Sequence, residues 1–128
     1  MQNNLNTGEF IADIFKKNWR ENFVFDAIKG TVLSYKDFFA RARLYSLKLA
    51  ELGLASGDII ALVMDNSLDL MILYFAGLLK GARIVPVDPF RGVEGINEIF
   101  SQIKCQLAIT DIRSMAIAVK DFAAKRVI

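Results

Sequence analysis

The six residues Ile-Ile-Ala-Leu-Val-Met at 59–64 limit the fold more than any other stretch. They show no alternation of apolar and polar side chains, so they do not suit a sheet with one wet face. A continuous apolar strand has to be covered on both faces, which is the habit of parallel sheets flanked by helices. The downstream chain repeats the same unit. Asn66-Ser67 opens an apolar helix that runs to Lys80 and is stopped by Gly81. Residues 83–87 read as the next strand, and 93–104 as an amphipathic helix with Ile96, Ile99, Phe100 and Ile103 inward. Residues 106–110 form a third strand, 112–124 a third helix, and 126–128 the opening of a fourth strand. Repeated strand–helix units predict parallel pairing through right-handed crossovers, an α/β fold.

The first third of the chain reads differently. Residues 9–19 place Phe10, Ile14 and Phe15 on one helical face. Residues 23–28 and 31–33 read as a β-hairpin around a two-residue Lys29-Gly30 loop. Ser34 caps the next helix, with Asp37 in the reciprocal capping position. Phe38, Ala42, Tyr45, Leu49 and Leu52 form its core stripe, and Gly53 ends it. Lys36, Arg41, Arg43 and Lys48 lie off that stripe and should be solvated. Residues 55–58 form a turn. The organisation expected is a helical arm over 1–20 and one α/β subdomain over 21–128.

An apolar content of 54% raises the question of a membrane span. The longest apolar run, 70–79, is ten residues, about half of what a span needs. No secretory leader pattern opens the chain, and a cytoplasmic location is expected. Each half carries eight basic and seven acidic residues, so the +2 net charge comes with no basic block of the kind that suggests nucleic acid as a partner. The single Cys105 precludes an internal disulfide and suits a reducing compartment. The absence of histidine excludes His-Cys zinc sites and Ser-His-Asp triads.

Three carboxylates stand out. Asp65, Asp88 and Asp111 each close a strand and are spaced 23 apart. Ligands of open α/β sheets bind beyond the carboxyl ends of the strands, and three carboxylates there could hold Mg²⁺ in a receiver-like or flavodoxin-like binding module. The plainer reading is that 23 residues is one strand–helix unit and that Asp is favoured where a helix is about to start. No Gly-x-Gly-x-x-Gly or Gly-x-x-x-x-Gly-Lys-Ser/Thr loop follows any strand. The glycines of residues 91–95 read as an ordinary loop, and Cys105, without a partner motif, as a structural thiol.

Leu33-Ser-Tyr-Lys-Asp-Phe38 resembles the Leu-Thr/Ser-Tyr-x-Glu-Leu motif of adenylate-forming (AMP-binding) enzymes, the acyl-CoA synthetases, luciferases and adenylation domains. Leu52-Gly53, Ser56-Gly57-Asp58 and Asn66-Ser67 are similar to that family's Leu-Gly, Pro-Gly-Asp and Asn-Ser. Residues 78–89 resemble Leu-Lys-Ala-Gly-x-Ala-Tyr-Val-Pro-Leu-Asp-Pro, with Pro86, Asp88 and Pro89 in place. Departures fall at Leu79, Lys80, Arg83 and Asp37-Phe38.

The resemblance implies the N-terminal scaffold of an ATP-dependent carboxylate ligase, ending before the ATP-binding loop. Such a ligase makes an acyl-adenylate and passes the acyl group to a thiol, that of CoA or a phosphopantetheine carrier, using ATP and Mg²⁺. The Thr-Ser-Gly-Thr-Thr-Gly-x-Pro-Lys loop, the Tyr-x-Thr-Gly-Asp motif and a late lysine carry the family's chemistry and are absent here. No catalytic, cofactor-binding or metal residue is therefore expected, and Asp88 should anchor a turn. The implied partners are the rest of the ligase and a small carboxylate. The all-apolar helix at 67–80 should leave an exposed patch that favours a homo-oligomer.

Overall fold

The computed structural model describes residues 7–110 and 126–127. Their order is α1 (Thr7–Lys17), β1 (Asn22–Asp26), β2 (Thr31–Ser34), α2 (Tyr35–Glu51), β3 (Ile59–Val63), α3 (Leu68–Lys80), β4 (Arg83–Val87), a 3₁₀ turn (Pro89–Arg91), α4 (Gly92–Gln102), β5 (Leu107–Thr110) and β6 (Arg126–Val127). The helix expected at 112–124 lies outside the described residues. β1 and β2 form the antiparallel hairpin. β3, β4, β5 and β6 form one sheet in the order β4-β3-β5-β6, with every pair parallel.

β3 is the central element of the described sheet. Ile60, Ala61, Leu62 and Val63 are each 0% exposed. Alternation along the strand divides them between two cores. Ile60 and Leu62 pack with Leu49 and Leu54, with Ala76 of α3 and with Leu107. Ala61 and Val63 pack with Val87 and Ala108, and with Ile96 and Phe100 of α4. Thus α3, backed by α2, covers one face of the sheet and α4 the other.

A third cluster ties α1 and the hairpin to α2 and α3. Phe15 is its hub, with ring centroids 5.0 Å from Phe23, 5.1 Å from Tyr35, 5.6 Å from Phe39 and 5.7 Å from Phe75. Tilted and edge-on pairs of this kind each add about 0.5–1.5 kcal/mol beyond the area they bury.

The structure corrects three expectations. On α1 the buried pair is Ile11 and Phe15, whereas Phe10 is 57% exposed and Ile14 also faces water. Both pairs have i,i+4 spacing, and the aromatic cluster accepts the one that contains Phe15. The hairpin loop spans 27–30 rather than Lys29-Gly30 alone. Asp26 ends β1 early because its Oδ1 accepts from the backbone N–H groups of Ile28 (3.1 Å) and Lys29 (3.3 Å). Finally, Tyr74 is the one exposed large hydrophobic residue of α3, whose other large apolar side chains are buried or half-buried. Exposed apolar side chains lie instead on the hairpin (Phe25, Ile28, Val32), on α1 and α2, and at Phe90.

The helix ends follow their sequence signals. Ser34 Oγ accepts from Asp37 N at 3.1 Å, and Ser67 Oγ from Leu70 N at 3.1 Å. Gly81 closes α3 at φ 79°, a left-handed conformation that side chains with a Cβ avoid. Pro86 sits inside β4 opposite Leu62. It is tolerated because β4 is an edge strand of the described sheet, where an absent N–H need not leave a ladder partner unpaired.

Gly77 sets the distance between α3 and the sheet. A Cβ there would lie 2.9 Å from Ile84 Cγ1 and 3.6 Å from Ile60 Cγ2. Gly77→Val should therefore overpack the layer and destabilise the protein by about 2 kcal/mol. Urea unfolding should show a lower midpoint at an unchanged slope.

Candidate functional site

The two described crossovers run in opposite directions. From β3 the chain passes through α3 to β4 at the edge of the sheet. It then returns across the other face through α4 to β5, on the far side of β3. This reversal makes the carboxyl ends of β3 and β5 a topological switch point, where open α/β sheets bind ligands.

Asp65 and Asp88 come together at the same end of the sheet, beside the switch point, where β3 and β4 end. They line a crevice of about 330 Å³ with Asn66, Leu70, Pro86 and Phe90. Asp111 lies outside the described residues. Both carboxylates are exposed and each serves its own loop. Asp65 Oδ1 accepts from Asn66 N at 2.8 Å, and Asp88 Oδ1 accepts from Phe90 N at 2.9 Å. Asp88, followed by Pro89, thereby caps the 3₁₀ turn that leads into α4.

The crevice is poorly suited to a triphosphate. Among the described residues no lysine or arginine lines it. The start of α3, the nearest cluster of backbone donors, is partly satisfied by Ser67 and carries Asp69 in its first turn. Phosphate cradles need free N–H groups and a cation; here the charges are carboxylates. The described residues of the crevice do not fit ATP. Among the described residues no group of three His, Cys, Asp or Glu is placed to hold a metal ion.

At the opposite end of the sheet, Gln106 makes a contact that the sequence alone did not reveal. Its N–H donates to Ile59 O at 2.9 Å, and its Oε1 accepts from Ile59 N at 2.7 Å. The side chain supplies a pairing partner just before β5 begins. Arg83 N donates to Asp58 O at 2.8 Å and Arg83 Nε to Gly57 O at 3.2 Å, fixing the entry to β4. A polar residue beside an apolar strand was the only available hint of Gln106.

These elements carry the motif residues in order. The Leu-Ser-Tyr-Lys-Asp stretch makes the β2–α2 junction, Asn66-Ser67 starts α3, and Pro86, Asp88 and Pro89 form the exit from β4. Residues 15–128 match the family described as AMP-binding enzyme. The chain belongs to that family. It is 27% identical over 106 residues to surfactin synthase subunit 2 of Bacillus subtilis, covering 81% of this chain and 3% of that protein. It is 38% identical over 65 residues to 4-coumarate--CoA ligase-like 6 of Oryza sativa subsp. japonica, covering 50% and 11%. The structure of apo MatB from Rhodopseudomonas palustris aligns with a TM-score of 0.83 at 20% identity, over 94% of this chain and 25% of that one. At that identity the structural likeness establishes the fold. The chain thus spans a small part of the AMP-binding relatives it matches.

Cys105 lies in the α4-side core at 1% exposure, and burial pushes its thiol above the ordinary value of 9.0. The fold holds the thiol neutral, whereas the unfolded chain ionises it near that value. The stability this contributes is present below about pH 9 and is lost as pH rises through that range. Cys105→Ala should show a shallower loss of stability than the parent on raising the pH, measured by urea unfolding across the alkaline range.

Proposed function

We propose that these residues are the N-terminal scaffold of an ATP-dependent carboxylate ligase and contribute none of its catalytic groups. The observation that carries this reading is the family match from residue 15 to 128, on a fold that aligns with apo MatB at a TM-score of 0.83. In the proposed enzyme the carboxylate attacks the α-phosphate of ATP, giving an acyl-adenylate and pyrophosphate. The acyl group then passes to a thiol, that of CoA or of a carrier's phosphopantetheine. Mg²⁺ and cationic groups elsewhere in the ligase would stabilise the phosphate charge. The acidic crevice at Asp65 and Asp88 supports placing those groups outside the described residues.

Residues 1–20 are proposed as an arm and 21–128 as the first α/β subdomain of that ligase, working in the cytoplasm. Among the described residues no helix is long and apolar enough to cross a membrane. Phe25, Ile28 and Val32 of the hairpin are large, exposed and apolar. We propose that the rest of the ligase covers them, or a second copy when the chain is alone. Sedimentation should then show concentration-dependent association of the 128-residue chain; a monomer at all concentrations would remove the self-association.

Calorimetry with ATP and Mg²⁺ and carboxylate-dependent pyrophosphate exchange test the central reading. The 128-residue chain should be silent in both, and the same residues extended through the Thr-Ser-Gly-rich loop and later motifs should exchange. Exchange by the short chain would place the site within it. Mg²⁺ binding abolished by Asp65→Asn with Asp88→Asn would favour the carboxylate-cluster module instead.

A further inference from the structure

The outer face of α2 carries a feature that its role in the core does not use. α2 packs inward through Phe38, Ala42 and Leu49. On the opposite side Ala40, Leu44 and Leu47 are exposed, the two leucines at 53% and 62%. Their spacing of four and then three residues is that of a heptad seam. The positions flanking such a seam are occupied by Lys36, Arg41, Arg43 and Lys48, all exposed. The acidic residues Asp37 and Glu51 sit only at its two ends. No side-chain hydrogen bond or ion pair engages those four cations among the described residues.

Beside the seam runs a groove of about 480 Å³ between α1 and α2. Leu47 and Arg43 form one wall, Ala12 and Lys16 the other, and Phe39 and Leu79 also line it. Lys16 adds a further cation, and Glu9 is the one acidic residue there.

We propose that this face docks an acidic amphipathic helix of another protein or domain. Its apolar residues would cover Leu44 and Leu47, one of them entering the groove, and its Asp or Glu flanks would meet the arginines and lysines. Flanking charges of one sign select a partner of the opposite sign and reject a second copy of the same surface. A narrow two-leucine seam beside a concavity suits a helix better than a bilayer, which is held by a broad apolar face rich in Leu, Phe and Trp. The surface is separate from the carboxyl-end crevice, and the proposal does not depend on the ligase reading.

The test uses the 128-residue chain and a labelled synthetic helix with leucine along its seam and glutamate on both flanks, followed by fluorescence anisotropy. This peptide should bind, more weakly as salt is raised, and its lysine-flanked counterpart should not. Leu47→Ala should weaken binding about tenfold, the usual scale for a central apolar anchor. Arg41→Glu with Arg43→Glu should abolish binding of the acidic peptide and confer binding of the basic one. These side chains are exposed, so circular dichroism should show each variant folded. Absence of binding, equal binding of the two peptides, or indifference to Leu47→Ala would overturn the proposal. Sedimentation with phosphatidylserine vesicles that Leu47→Ala abolishes, in the absence of peptide binding, would assign the face to lipid.

Discussion

Ile60, Ala61, Leu62 and Val63 leave no surface to water, and the remaining architecture answers to that fact. A strand with two dry faces needs its backbone groups paired on both edges and its side chains covered on both sides. β4 and β5 meet the first requirement, each in parallel register with β3. Covering both faces meets the second, and right-handed crossovers then allow few routes. If α3 crosses on one face while the chain moves outward to β4, a helix on the other face must carry it back past β3. That return places the switch point between the carboxyl ends of β3 and β5, next to the crevice at the ends of β3 and β4. The location of the switch point is thus a consequence of burial and handedness, before any side chain there is considered.

Much of this was legible in the sequence because it rests on signals that compete with nothing. The unbroken apolar run at β3, the caps at Ser34 and Ser67 and the stop at Gly81 all appear where local chemistry predicts them. α1 was less legible because Phe10–Ile14 and Ile11–Phe15 are rival pairs of equal spacing. Only the ring cluster around Phe15 separates them, and all five of its ring neighbours lie on other elements, four of them at least twenty residues of chain away. The hairpin misled for a local reason. Lys-Gly resembles a weak turn signal, whereas the Asp26 carboxylate gathers two backbone donors and ends the strand sooner. Gly77 was silent, since a glycine within a helix reads as a loss of propensity; its value lies in how near Ile84 comes.

The acidic residues at the strand ends show where sequence spacing reaches its limit. Their regular interval indicated a shared end of the sheet, and the adjacency of β3 with β4 puts Asp65 and Asp88 on one crevice. Spacing could not show that one oxygen of each already accepts a neighbouring backbone N–H. This local use agrees with the turn-anchoring role expected of Asp88. It also explains why Pro-Val-Asp-Pro suits the end of an edge strand: Pro86 forgoes a donor where one can be spared, and Asp88 and Pro89 together begin the next turn.

The overall charge balance conceals a division that helix geometry creates. Counted by halves of the chain, basic and acidic residues are evenly spread. In three dimensions Asp65 and Asp88 share the crevice at the carboxyl ends of the strands, while α2 arrays Lys36, Arg41, Arg43 and Lys48 along its outer face. Screening at physiological salt acts over about 8 Å, so each surface presents its local sign rather than the net +2. An anion approaching the crevice meets carboxylates without a counter-charge among the described lining residues. The described residues lining that end of the sheet thus offer carboxylates and no cation, and the cations of α2 lie on a different surface.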